Sequence, residues 1–243
     1  VSQSIYLSII IPTLNEASNI GQLLKTLPYH RTDIEIIVVD GGSDDGTRDI
    51  TQRFGIPCFT CPPSRGRQLQ LGVQQARGDV FWFLHADSHV DSRHVDVIIE
   101  TLKANTQIIG GNFAITFSDN DPFSLWLNRF YSHIRDRGFY YGDSGIFIRR
   151  HILNELGGIP AKDLMEDYAL VRRMQKHSLP TTCINHPHIV SSSRRFQGRS
   201  RKSIIVGWIM IHIMFYLHLP DSWLAYFYDS KRKRSKAYPN LEK

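Results

Sequence analysis

Residues 80–90 read VFWFLHADSHV. Phe81, Trp82, Phe83 and Leu84 form an unbroken apolar run, too short for a helix and apolar on both faces. Such a run suits a strand buried inside a sheet that is covered on each side. His85 and Asp87 follow at once, and a carboxylate buried there without a partner would carry a heavy desolvation cost. Side chains two apart in an extended segment share a face, so His85 and Asp87 present an imidazole and a carboxylate to one ligand. A hard divalent cation fits that pair, because it takes carboxylate oxygen, keeps several waters and is completed by phosphates. The competing reading makes Asp87 the cap of a helix starting near Ser92.

Upstream of this strand, strand and helix alternate. YLSIIIPTL (6–14) is strand-like, and EASNIGQLLKTL (16–27) carries Ile20, Leu23, Leu24 and Leu27 at helical spacing, with Asn15 placed as N-cap. IEIIVVD (34–40) is a second strand, GGSDDGT (41–47) a glycine-rich turn, and RDITQRFG (48–55) a helix closed by Gly55. RQLQLGVQQARG (67–78) is a further helix, closed by Gly78, that leads into the strand at 80–85. The order implies a parallel sheet with right-handed crossovers, whose ligands gather at the carboxyl ends of the strands. Asn15, Asp40 and Asp87 all fall just past strand ends, so three polar sites converge on one edge.

The second half reads differently. IIGGNFAITF (108–117) is strand-like, PFSLWLNRFYSHIRD (122–136) a helix, GDSGIFIRR (142–150) a turn with a short strand, and MEDYALVRRMQKH (165–177) a helix. Residues 204–219, IIVGWIMIHIMFYLHL, are the one long apolar segment. It is shorter than the roughly 20 residues a spanning helix needs and contains His212 and His218, which predicts a buried or surface-seeking helix. The expected organisation is an α/β domain over 1–200 and an apolar helical extension with a basic tail over 201–243.

Apolar and charged fractions of 42% and 21% in 243 residues are those of an ordinary globular protein. The formal charge of +6 is unevenly placed, in Arg194, Arg195, Arg199, Arg201 and Lys202 and in the run KRKRSK at 231–236. That suggests an anionic partner, whether diphosphate, acidic lipid or nucleic acid, or else a solubilising charged surface; of these, a nucleic-acid partner is not expected. Trp208, Tyr216, Trp223, Tyr226 and Tyr228 frame the apolar segment, which fits an anionic membrane surface, a second copy of the chain, or packing on the α/β domain. Three cysteines make no disulfide framework and predict a reducing compartment. SIYLSIIIPTLNE reads as a first strand and not as a secretory signal, so a cytoplasmic location, peripheral on the inner membrane face, is expected.

Three more stretches bear chemistry. In VVDGGSDDGT (38–47) the glycines allow close backbone approach to a ligand. Carboxylates repel phosphate, so Asp40 is better suited to accept hydrogen bonds from a base or ribose hydroxyls; otherwise these acids cap the helix near Thr47. In SRGRQLQLG (64–72), Arg65 and Arg67 offer guanidinium forks for phosphate, or else stand solvated at a helix start. Glu166 and Asp167, adjacent at a helix start, repel one another, which shifts one pKa. No G-x-G-x-x-G follows the first strand, which weighs against nicotinamide binding.

SIIIPTLNE (8–16), IIVVDGGSDDGT (36–47), ARGDVFWFLHAD (76–87) and MED (165–167), in this order and spacing, resemble the family 2 glycosyltransferases of the GT-A fold. The resemblance covers roughly residues 5–175. It implies a Rossmann-like α/β/α sandwich with a mostly parallel mixed sheet. It also implies inverting transfer of a sugar, hexosyl by expectation, from a UDP- or GDP-linked donor to an acceptor hydroxyl. The donor would be held by Pro12, Thr13, Asn15, Glu16, Asp40, Gly42, Arg65, Arg67, His85 and Asp87, and by Arg195 in a basic loop with Arg194 and Gln197. The family's D-x-D motif matches His85-Ala86-Asp87, which implies Mg2+ or Mn2+ on Asp87. His85 replaces the usual first acid, as a second metal ligand or a ribose contact. Asp143 and Ser144 would meet the acceptor, and Asp167 would be the general base, with Glu166 second.

Two other readings compete. A degenerate relative would bind a nucleotide or a membrane partner without turnover, and His85 favours it. PCFTC (57–61) with His85-Ala86-Asp87 matches the halves of a zinc deaminase signature in reversed order, with Asp where a longer Glu is needed.

Overall fold

The computed structural model describes residues 6–117, 122–135, 137–160, 162–191, 200–220 and 223–224. In chain order the elements are β1 (Leu7–Thr13), α1 (Ala17–Thr26), β2 (Ile34–Asp40), α2 (Thr47–Arg53), β3 (Cys58–Thr60), α3 (Arg65–Gln75), β4 (Val80–Phe83) and α4 (Ser92–Ala104). They continue with β5 (Gly110–Phe117), α5 (Pro122–Arg135), a 3-10 turn at Gly142–Ser144, β6 (Phe147–Arg149), α6 (Arg150–Glu155), α7 (Glu166–Lys176), β7 (Thr181–Ser191) and α8 (Arg201–Tyr216).

The strands form one sheet in the order β3-β2-β1-β4-β6-β5-β7. β1, β2, β3 and β4 are parallel to one another, β6 runs antiparallel between β4 and β5, and β7 is parallel to β5. This is the mixed, mostly parallel α/β sandwich expected. The unbroken apolar run of β4 follows from its place inside the sheet. Trp82 and Leu84 join the core formed with α1 and α4 through Ile20, Leu24, Val95 and Ile98. Phe81 and Phe83 join the opposite core, with Leu69 and Val73 of α3 and Leu170 and Val171 of α7. α3 lies so close to β1 that a Cβ on Gly72 would collide with Ile10.

Several local expectations are corrected. Glu16, not Asn15, is the N-cap residue of α1, because Asn15 adopts a left-handed conformation at φ 56° one position earlier. α3 starts at Arg65, ahead of its expected start at Arg67, and its C-cap is Ala76, not Gly78. β7 has no counterpart among the expected strands. It contains Pro187, tolerable because β7 is the edge strand, and its pairing with β5 is offset between Phe113 and Ile115, so its alternation is broken.

α8 docks on the α/β body. Ile204 is buried with Ile115, Phe117 and Leu127, and Ile211 with Met165 and Tyr168. Among the described residues no helix is long and apolar enough to cross a membrane.

Candidate active site

The sheet reverses its order between β1 and β4, and beyond their carboxyl ends such a sheet opens to a ligand. On the β2 side of that crevice the loops are stitched to each other. Asp40 is fully enclosed; its Oδ1 accepts the amides of Gly42 (3.0 Å) and Ser43 (2.8 Å), and its Oδ2 accepts the hydroxyls of Thr13 (2.9 Å) and Ser43 (2.5 Å). Four donors fill the carboxylate. Expected as a nucleoside contact, Asp40 is here the buried clamp of the turn. Thr13 is buried with its hydroxyl on that clamp.

The amides of Asn15, Glu16 and Ala17 donate to Ser43 Oγ (2.8 Å), Thr47 Oγ1 (2.9 Å) and Asp45 Oδ2 (2.9 Å). The Asp44 amide returns to Asn15 Oδ1 at 3.1 Å. Asp45 thus stands over the first turn of α1, whose free amides and dipole favour an anion. Along this edge Pro12 and Glu16 are half-buried, Glu16 accepting from Asn19 Nδ2 at 2.6 Å, and Asn15 and Gly42 are exposed, the glycine at φ 93°.

Arg67 is exposed in the first turn of α3. Gln68, beside it, is buried and donates its amide to the carbonyls of Thr13 and Val39, both at 2.8 Å, which ties the ends of β1 and β2 together. The helical phase of Gln68 with Leu69 and Gly72, facing the sheet, was the signal for this strap. Arg65 lies with its Nε 3.6 Å from Glu166 Oε1, so it serves the acid pair.

Past β4 the Ser88 amide closes a turn on the His85 carbonyl at 3.1 Å, leaving His85 and Asp87 half-buried. α4 takes its cap from Asp91, in a capping box with His94. Asp87 is free of that duty, and no hydrogen bond or ion pair engages it among the described residues. His85 Nε2 faces α7: a Cβ on Gly142 would stand 2.9 Å from both His85 Nε2 and Asp167 Oδ2. The Gly142 amide donates to that same Oδ2 at 2.5 Å. His85, Asp167 and Glu166 share one cavity with Leu69, Phe83 and Ile159.

Asp167 is half-buried at the start of α7, where an anion is favoured by the helix dipole. Glu166 is only 1% exposed, and neither of its carboxylate oxygens has a hydrogen-bond partner among the described residues. Burial, then the charge of Asp167, push its pKa up to about 8, against the pull of Arg65. The shifted pKa expected of the pair falls on Glu166.

The residues expected to meet the acceptor are largely enclosed. Ser144 is buried with its hydroxyl on the Tyr141 carbonyl at 2.6 Å, and Asp143 is nearly enclosed with the Tyr131 hydroxyl 3.4 Å from its Oδ2. Above the acid pair lies an aromatic roof that sequence reasoning missed. Tyr141 OH pairs with His212 Nε2 at 3.0 Å, and Tyr168 OH with Tyr216 OH at 2.7 Å. Aromatics spaced along the apolar segment were its only signal. Arg194, Arg195 and Gln197 lie outside the described residues.

Residues 8–157, more than half of the chain, match the model of glycosyl transferase family 2. The chain belongs to that family. It is 23% identical over 170 residues to glycosyltransferase AglE of Haloferax volcanii, covering 64% of this chain and 56% of that protein. It is also 23% identical over 226 residues to a 4,4'-diaponeurosporenoate glycosyltransferase of Staphylococcus haemolyticus, covering 83% and 60%. This family 2 chain therefore spans somewhat over half the length of those curated relatives. Its fold is shared by glucosyl-3-phosphoglycerate synthase of Mycobacterium tuberculosis, solved with Mn2+, UDP and glucosyl-3-phosphoglycerate, at a TM-score of 0.62 and 17% identity over 90% of this chain and 82% of that one.

Among the described residues of this family 2 chain, no group of three or more His, Cys, Asp or Glu side chains is placed to hold a metal ion. The donor chemistry of Asp87 fits a hard cation that takes one carboxylate and completes its shell with phosphate oxygens and water. His85, expected as a second ligand or a ribose contact, has its Nε2 on the side of Gly142 and Asp167. The zinc reading does not assemble: Cys58 lies in β3 and Cys61 just past its end, and β2 and β1 separate β3 from the strand that leads to His85.

Proposed function

We propose that the chain transfers a sugar from a nucleoside diphosphate donor to an acceptor hydroxyl with inversion. The observation that carries this is the meeting of Asp167, Glu166 and His85 in one cavity at the carboxyl end of β4. The acceptor oxygen attacks the anomeric carbon, the bond to the diphosphate breaks with its electron pair leaving on the diphosphate, and Asp167 receives the acceptor's proton. The Gly142 amide orients the Asp167 carboxylate. Glu166, held protonated near neutrality, adds no second negative charge beside that base. Arg67, Asn15 and Gly42 are the open groups for the donor. A divalent cation on Asp87, when bound, would neutralise the leaving diphosphate. Residues 1–200 carry this chemistry, and 201–243 form an extension whose helix roofs the acid pair.

Release of nucleoside diphosphate from UDP- and GDP-sugars, with Mn2+ and a panel of alcohol acceptors, tests the proposal. Turnover that depends on Asp167 supports it. A chain that binds UDP or GDP through Asp87 yet never turns over selects the non-catalytic binder. One observation favours that second reading, the prior engagement of Asp167 Oδ2 by an amide.

A further inference from the structure

α8 has apolar side chains on all sides, and among the described residues only one side is covered. Its inner face holds Ile204 and Ile211 against the α/β body. Its outer face presents Val206, Ile209, Met210, Ile213 and, at the C-cap, Leu217, each between 39% and 65% exposed. Their spacing of three and four residues makes one continuous stripe along the helix. Trp223, 62% exposed, follows it. A contiguous apolar stripe of this kind on a helix end-docked to a folded body marks an interaction surface.

Charge decides between the occupants. Residues 192–220 contain Arg194, Arg195, Arg199, Arg201 and Lys202 and no acid, and 231–236 add five more cations with no acid. The stripe is therefore bracketed in sequence by two basic clusters. Parallel packing of α8 on α8 from a second copy would bring two copies of the basic helix start, Arg201-Lys202, together. An anionic bilayer answers both features at once: its acyl boundary takes the stripe, and its headgroups take the clusters.

We infer that the outer face of α8 is a docking surface for an anionic lipid bilayer, with Val206, Ile209, Met210, Ile213 and Leu217 seated at the acyl boundary. The helix lies in the interface plane. Its inner face stays on Tyr141 and Tyr168, which sets the acid pair close beneath the membrane.

The full chain is sedimented with vesicles of phosphatidylcholine alone and with 30 mol% phosphatidylglycerol, and Trp emission is followed in parallel. The expected result is at least tenfold more protein on the anionic vesicles, a blue shift of emission, and several-fold release in 0.5 M NaCl. The double variant Ile209→Asp/Ile213→Asp changes only exposed positions; it is expected to keep its melting temperature and to lose binding at least fivefold. Equal partitioning onto both vesicle types overturns the inference, as does a folded double variant that binds like the parent. A concentration-dependent dimer in light scattering that the double variant abolishes also overturns it, in favour of a second copy on this face.

Discussion

The Gly142 amide reaches Asp167 Oδ2 at 2.5 Å, and the His85 imidazole closes on the same spot. Only a residue without a side chain lets the three groups meet. A hydrogen bond from a backbone amide to a carboxylate is among the stronger ones available, and it fixes the carboxylate that the proposed reaction needs. The 3-10 turn thus works as a rest for a side chain on α7.

Gly142→Ala tests that rest. The new Cβ would press on the far ends of two flexible side chains, so the fold survives while Asp167 and His85 shift. Misplacement on the scale of an ångström costs up to about 100-fold in rate. The expected outcome is a melting temperature within a few degrees of the parent and a turnover at least ~10-fold lower, read by calorimetry and steady-state kinetics.

Asp167→Asn removes the proton acceptor and keeps the shape. Turnover should fall by about 10²–10⁴-fold, while the affinity for UDP or GDP, measured by titration calorimetry with Mn2+, stays within about threefold. Unchanged turnover would move the base elsewhere.

Asp87→Asn separates metal from base. Ligand that binds only the native state raises the melting temperature with its concentration over Kd. Stabilisation by UDP or GDP with Mn2+ is expected in the parent, and its loss is expected both in the variant and after chelation. Stabilisation that survives both would remove Asp87 from the cation site.

Asp40→Asn asks whether Asp40 is a clamp. An amide cannot accept from all four donors that the buried carboxylate now serves. Leaving buried donors unmet costs about 1–3 kcal/mol each, so urea unfolding should show a loss of at least ~2 kcal/mol without any ligand present. A variant that loses nucleotide affinity at full stability would restore Asp40 to the donor site.

The α/β body was legible because its signals are local and redundant. The apolar run 81–84 states that β4 is covered on both faces, and the leucines of α1 repeat at helical spacing. The acids past the strand ends were visible too, but not their duties. Asp40 and Asp87 look alike in sequence. One is saturated by Thr13, Gly42 and Ser43, and the other is passed over because Asp91 takes the cap of α4. One of Asp40's partners, Thr13, stands 27 residues away, and neither periodicity nor spacing encodes that contact. β7 was illegible because Pro187 and an irregular register erase its alternation. The roof of Tyr141, Tyr168 and His212 needs α8 to fold back over α7, which an apolar segment alone does not announce.

The burial of Glu166 makes stability depend on pH. In an unfolded chain this carboxyl titrates near 4.5, and in the native state near 8. Between those values the native state holds a proton that the unfolded state has released, so stability falls as pH rises. The contribution is fully present below about 4.5 and is lost as pH climbs through about 8. One proton sets a ceiling of about 1.4 kcal/mol per pH unit. Glu166→Gln removes the titration and should flatten that part of the slope. Urea midpoints at several pH values across this window, taken on both proteins, measure the difference. Coincident slopes would mean that Glu166 is ionised in the native state and held there by Arg65 as an ion pair.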